Sequence, residues 1–404
     1  MTLSNETIKI IKSTAPVLEV HGATITTVFY KNMFLNHPEL LNMFNEANQK
    51  QGKQQQALAN LVYAAAKNID QLENVLDEVK LVANKHRGLG VKPEHYPIVG
   101  KYLLLAIKEV LGDAATDEIM DAWEETYGVI AQVFIDIENE MYKNAKEQDG
   151  GWDGFKDFIV TDKVKESDII TSFYLKPKDG EVIANYDAGQ YLTIRVTMPN
   201  EEFMQIRHYT ISAAPGADTY RISVKKEIDC TPHGKVSTFL HDSVNIGDTI
   251  EASAPAGTFT LENSDRPVAF ISGGVGITPM ISMLESLSSK QSKQDIKFVH
   301  SARNSSIHPF NNHVSELIEA LPNASYTYGY SDEDSANEGS FKGYITKEVL
   351  KDLITEDTIY YVVGPVPFMK HVANLLDKLG VSDTNIRYEL FGPAQEILVD
   401  TPQA

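Results

Sequence analysis

The period of the hydrophobic pattern changes near residue 150, and that change allows only a chain of unlike domains. Up to about Lys146, apolar residues recur at three- and four-residue spacings, the repeat of an amphipathic helix. From Trp152 they alternate at period two, with Pro, Gly and Asp clusters between the runs. After Arg266-Pro267, short apolar runs that end in glycine alternate with helical stretches. One core cannot satisfy all three patterns, and 404 residues suffice for two or three domains. The expected order is an all-α domain at 1–147, an antiparallel β-barrel at 152–263 and an α/β parallel-sheet domain at 264–404, with Gly150-Gly151 as a short connection.

Within the first part, Ile8, Ile11 and Ala15 open one helix, and Thr27, Tyr30, Met33 and Phe34 share a face of a second. Gln54 heads a stripe of Ala57, Leu58, Leu61, Val62 and Ala65. A further helix carries Val75, Val79, Val82, Ala83 and His86 and stops at Gly88 and Gly90; Pro93 restarts a helix through Ile107. The last helix runs from Asp117 to Lys146. His86 ends an apolar stripe, which suits a core histidine as well as a metal ligand. Trp123, Tyr127, Phe134, Glu138 and Met141 fall on one seam of the last helix. Glu138 there is either a snorkelling edge residue or, with Tyr96, an acceptor for the second ring nitrogen of a metal-bound histidine. Tyr30 and Gln54 likewise read as amphipathic edges or as polar groups set into a site.

In the middle part, Phe158-Ile159-Val160, Ile169 to Leu175, Tyr191 to Val196, Gln205 to Ile211 and Tyr220 to Val224 read as strands. One of them carries Arg207-His208-Tyr209-Thr210, where arginine suits a phosphate, tyrosine an aromatic face and threonine a ring nitrogen. Gly234 to Thr238 precedes a helix and suits a pyrophosphate at its N-terminus. Further on, Val268 to Ile271 runs into Gly273-Gly274-Val275-Gly276-Ile277-Thr278, a glycine turn between strand and helix that is either a tight connection or a backbone cradle for phosphate. Lys297 to His300 and Tyr360 to Val363 supply further strands.

These residues together resemble the bacterial flavohaemoglobins. Phe29-Tyr30, Phe44, Gln54, Leu58, Lys85-His86, Tyr96 and Glu138 resemble the family's globin domain. The resemblance implies haem b on His86, Tyr30 and Gln54 as the distal pair that hydrogen-bonds dioxygen, Leu58 closing the pocket and Phe44 on the porphyrin. It makes Tyr96 and Glu138 the pair that renders the proximal histidine more electron-donating. The Arg-x-Tyr-Thr strand with Tyr191, the glycine loop, and Glu389-Leu390-Phe391-Gly392-Pro393 resemble the FAD and NAD(P)H sites of the ferredoxin reductase superfamily. By that resemblance Phe391 lies against the flavin, and Lys85 and Glu389 lie near the haem–flavin gap. Two positions depart from the common pattern: Val363 stands where a cysteine is usual before Gly364-Pro365, and Thr210 where serine is usual.

The resemblance implies a nitric oxide dioxygenase that converts NO and O2 to nitrate, with electrons from NAD(P)H through FAD. The alternatives are a haem-flavin reductase of hydroperoxides or ferric complexes, and an oxygen sensor or store kept ferrous by its reductase. A net charge of -20 disfavours nonspecific binding to nucleic acid or anionic lipid. The amino terminus lacks a signal layout, no stretch has the length of a membrane span, and the single Cys230 cannot form an internal disulfide. A cytoplasmic monomer without a membrane anchor is expected. NADH against NADPH stays open, as does a lipid in the distal pocket.

Overall fold

The computed structural model describes residues 3–44, 46–71, 75–229, 231–333, 340–355 and 357–392. Six helices come first: α1 (Asn5–Asn36), α2 (Glu46–Lys50), α3 (Lys53–Lys67), α4 (Leu76–Leu89), α5 (His95–Leu111) and α6 (Asp117–Glu147). Two of these differ from the sequence expectation. The two helices read from Ile8 and Thr27 are one, α1, which runs through Pro16. Proline there forgoes a single i→i−4 bond, to the carbonyl of the exposed Lys12, where solvent can substitute. Pro93 lies in the turn before α5, and the proline of that helix's first turn is Pro97. Ile11, Ile25, Phe29, Met33, Tyr102, Ile107 and Trp123 form the main helical core. Val79, Ala83, Tyr96, Ala131 and Phe134 form a second cluster where α4, α5 and α6 meet.

Next comes an antiparallel sheet of β1 (Phe155–Lys165), β2 (Ile170–Pro177), β3 (Tyr191–Val196), β4 (Gln205–Thr210), β5 (Tyr220–Lys225) and β6 (Thr249–Ser253), in the order β4-β3-β6-β1-β2-β5. Ile211, just past one edge strand, bridges Ile222 on the other, so the sheet curls towards a barrel. Alternate residues point inward, and Phe158, Phe173, Leu192, Ile194, Tyr220 and Ile222 are fully buried. Trp152 joins that core and donates its indole N–H to the Ala252 carbonyl at 3.1 Å. The short helix α7 (Lys235–Asp242) packs beside it.

The last unit is a parallel sheet with strand order β10-β9-β8-β7-β11-β12: β7 (Val268–Gly273), β8 (Ile296–Ala302), β9 (Ala324–Tyr330), β10 (Ser340–Lys342), β11 (Ile359–Val363) and β12 (Ile386–Tyr388). It carries helices α8 (Ile277–Ser289), α9 (Asn311–Glu319), α10 (Lys347–Lys351) and α11 (Val366–Lys378). Strands after β7 go first to one side and then, from β11, to the other. The order therefore reverses between β7 and β11, which opens a crevice at their carboxyl ends.

A buried ion pair joins this unit to the barrel. Arg221 of β5 reaches Glu285 of α8 at 2.8 Å, and Glu285 also meets His313 at 2.7 Å and the Ala214 N–H at 2.8 Å. Burial alone would raise the Glu285 pKa; the His313 bond and the Arg221 charge hold it below the ordinary carboxylate value.

Candidate functional site

His86 lies in the last turn of α4, and its Nδ1 approaches Glu138 Oε1 at 2.8 Å and the Tyr96 hydroxyl at 3.2 Å. Tyr96 in turn donates to the same carboxylate oxygen at 2.6 Å. Glu138 is only 2% exposed, so it is no snorkelling edge residue. It comes from the C-terminal third of α6, and the three groups converge because α4, α5 and α6 share one cluster with Phe134 between them. Burial, then the Glu138 hydrogen bond, pushes the Tyr96 hydroxyl well above its ordinary range, so it stays a proton donor. A carboxylate facing Nδ1 assigns the ring proton to Nδ1 and leaves the Nε2 lone pair free for a ligand. Among the described residues no three of His, Cys, Asp and Glu gather as a metal site. A single free Nε2 suits a metal that brings its other ligands with it, as a porphyrin does.

Tyr30, Phe44 and Leu58 share the main helical core. Tyr30 is buried in an aromatic nest of Phe29, Phe34 and Phe44, with ring centroids 4.7, 5.7 and 5.7 Å away. Burial raises its hydroxyl far above the usual range. Leu58 packs on the same core. Gln54, in the first turn of α3, holds a buried Oε1 with no hydrogen-bond partner among the described residues. A buried amide oxygen left unpaired costs stability unless something else fills the space beside it.

Lys85 and Glu389 come together across more than three hundred residues of sequence. Lys85 donates to the Gly392 carbonyl at 3.1 Å. Burial lowers the Lys85 pKa against the pull of Glu389, and burial raises Glu389 to about 8 against the pull of Lys85. Neither is the solvated surface charge that an isolated lysine or glutamate suggests. Leu390 packs on the parallel-sheet core, Phe391 is 52% exposed, and Pro393 lies outside the described residues, as does Cys230.

On the barrel, Tyr191, Arg207, His208, Tyr209 and Thr210 sit on the paired strands β3 and β4, with Tyr191 opposite Thr210 and Thr193 opposite His208. Thr193 Oγ1 meets His208 Nδ1 at 2.9 Å, and the Tyr191 and His208 rings are 4.8 Å apart. Arg207 Nη1 donates to the Ile206 carbonyl at 2.7 Å, while Tyr209 packs on the barrel core. Among the described residues, the buried hydroxyls of Tyr191 and of Thr238, in the first turn of α7, have no hydrogen-bond partner, and neither has Glu389 Oε2. These orphaned groups suit a bound flavin dinucleotide.

Gly273, Gly274, Val275 and Gly276 end β7 in a tight turn into α8, at the crevice where the strand order reverses. A Cβ on Gly276 would lie 2.3 Å from the Val363 carbonyl oxygen. Ile277 and Thr278 are buried, and Thr278 Oγ1 caps the turn on the Val275 carbonyl at 3.0 Å. Val363 is fully buried and packs with Ile277 and Met280, so an apolar side chain fills this position.

Sequence reasoning missed the groups that join the domains: Arg87, Asn84 and Thr193, and the Arg221–Glu285–His313 set. Only Arg87-Gly88, a cation and a helical glycine directly after His86, offered a local signal.

Three families match successive stretches: globin at 27–134, oxidoreductase FAD-binding domain at 157–261 and oxidoreductase NAD-binding domain at 270–374. The chain is 52% identical over 396 residues to the flavohemoprotein of Bacillus subtilis (strain 168), covering 97% of this chain and 98% of that one. The crystal structure of flavohemoglobin from Malassezia yamatoensis with bound FAD and heme matches with a TM-score of 0.87 at 30% identity, over 97% of this chain and 100% of that one. The FAD/NAD-binding domain of nitric oxide dioxygenase from Vibrio cholerae O1 biovar El Tor matches with a TM-score of 0.56 at 35% identity, over 61% of this chain and 100% of that domain. No helix among the described residues is long and apolar enough to cross a membrane.

Proposed function

In a chain that belongs to the flavohaemoprotein family, we propose a nitric oxide dioxygenase that converts NO and O2 to nitrate with electrons from NAD(P)H. The coarser reading, an oxidoreductase with haem, FAD and a nicotinamide dinucleotide, follows from the family and its three domains. Once bound, haem supplies a reducible iron, and FAD turns a two-electron donor into single electrons.

The observation that carries the finer reading is the Glu138–His86–Tyr96 triad. A buried carboxylate holds the Nδ1 proton and pushes electron density onto the other ring nitrogen, which favours oxygen activation over storage. An oxygen store needs neither that donating pair nor a dedicated reductase. On the distal side, Tyr30 offers a hydroxyl inside an aromatic wall and Gln54 a buried, unpaired amide oxygen, polar groups that would hold a small guest with little competition from water. The Vibrio cholerae relative's name, nitric oxide dioxygenase, supports the same reading.

The test is NO consumption by the purified holoprotein under air with NADH, with nitrate counted against NADH oxidised. Two nitrates per NADH are expected, since each NO needs one electron. Failure to form nitrate removes the reading. Within it, Tyr30→Phe should speed oxygen release about five-fold, because one hydrogen bond is worth about 1 kcal/mol. An oxygen off-rate equal to that of the wild type would take Tyr30 out of the distal role.

A further inference from the structure

Helix α4 does more than carry His86: its other faces rest on the flavin strands. Arg87 is 6% exposed and points away from the His86 triad into the barrel. Its guanidinium donates to the Ala254 carbonyl at 3.3 Å and to that of Pro255. No carboxylate pairs with Arg87 among the described residues, so a buried cation is satisfied by backbone carbonyls and by nothing else of full charge. Asn84, one turn earlier on the same helix, accepts from the Gly257 N–H at 3.2 Å. The segment these two residues hold is itself paired to the first residue of β3: Tyr191 N–H donates to the Ala256 carbonyl at 2.8 Å, and Ala256 N–H returns the bond at 2.9 Å. Gly88 then touches β3 and β4 directly, since a Cβ there would lie 2.5 Å from Thr193 Oγ1 and 3.7 Å from both the His208 and Tyr191 rings.

We propose that Arg87 and Gly88 are positioning residues that seat the His86 helix on the flavin strands, so that passage of electrons from flavin to haem depends on them. The inference rests on His86 as the iron ligand and on the Arg207–Thr210 strand as flavin-binding. His86 and Arg87 lie about 100° apart on the helix, so one face meets the globin triad while the next meets the barrel. A shift of α4 relative to β3 therefore moves the ligand and the flavin strand together or apart, with no intervening linker to absorb it. Gly88 sets how close the two can come, and Arg87 fixes the register along the barrel rim.

The test uses Arg87→Ala, Gly88→Ala and Gly88→Ala with Thr193→Ala in the full-length holoprotein. NADH is mixed rapidly, and flavin bleaching and the haem Soret shift are followed separately. Flavin bleaching should keep the wild-type rate in Arg87→Ala, with the ferric haem spectrum unchanged, while haem reduction slows on the order of ten-fold or more, as misplacement of reacting groups does. Gly88→Ala should slow haem reduction alike, and Thr193→Ala should restore much of the rate by removing the atom its methyl meets. Scattering from the unreduced protein should show a larger radius of gyration for Gly88→Ala than for the wild type. Haem reduction at the wild-type rate in both single variants overturns the inference, as does a parallel fall in flavin bleaching and haem reduction. A wild-type protein whose haem is not reduced by NADH at all would instead remove the electron-transfer reading on which it rests.

Discussion

His86→Ala is expected to yield a protein that still binds FAD and bleaches it with NADH, but lacks the wild-type haem spectrum. The His86 ring faces the triad in the helical unit, whereas the barrel and the parallel sheet have cores of their own. The loss should therefore be confined to the globin. Alanine also strands Glu138, which is 2% exposed and would keep only the Tyr96 hydroxyl. A carboxylate so stranded costs about 1–3 kcal/mol or more, so the globin should unfold at lower temperature as well. Glu138→Gln in the same chain separates the two effects, because a neutral amide is cheaper to bury unpaired. The double variant should recover thermal stability without recovering the haem spectrum, and added imidazole should restore the spectrum by occupying the vacated space. A normal five-coordinate ferrous spectrum in His86→Ala without imidazole would mean that the iron ligand is another residue.

How much of this was legible in the sequence follows the length scale of each signal. Periodicity is local, so the switch from helix to barrel to parallel sheet could be read directly, as could strands such as Tyr191–Val196 and the long α6. The short edge strands β10 and β12 have three residues each, too few to show a period. Helix boundaries failed where punctuation misled: Pro16 does not break α1, because its lost bond falls on the solvent side, and Pro93 does not start α5. Glu138 could be placed on an apolar seam, yet only packing decides between a snorkelling and a buried carboxylate. Arg87, Thr193, Arg221 and Glu285 act between domains, at sequence separations that no spacing argument reaches. Lys85 and Glu389 were paired through family resemblance, and their shared burial is a property of the assembled chain.

Gly276→Ala tests whether the glycine turn after β7 serves a nicotinamide dinucleotide or is only a compact connection. The new methyl would sit 2.3 Å from the Val363 carbonyl oxygen, 2.6 Å from its carbon and 2.8 Å from the Gly364 nitrogen. All three are backbone atoms of the neighbouring strand end, so no side chain can swing aside to make room. The loops after β7 and β11 must separate, and they form the two walls of the crevice at the switch point. Gly274 is the control: its φ of +56° is in the left-handed region, but a Cβ there meets nothing within 4 Å. Gly274→Ala should cost only the backbone strain, about 1–2 kcal/mol, and leave the crevice shaped as it is. Gly276→Ala should reduce NADH-driven flavin bleaching on the order of a hundred-fold, since a displaced binding wall misplaces the reacting ring. FAD content and the dithionite-reduced haem spectrum should stay as in the wild type, because the atoms the methyl meets first belong to Val363 and Gly364 and to no residue assigned to haem or flavin. If Gly276→Ala lowers the melting temperature yet bleaches flavin at the wild-type rate and KM, the turn is structural and the dinucleotide binds elsewhere.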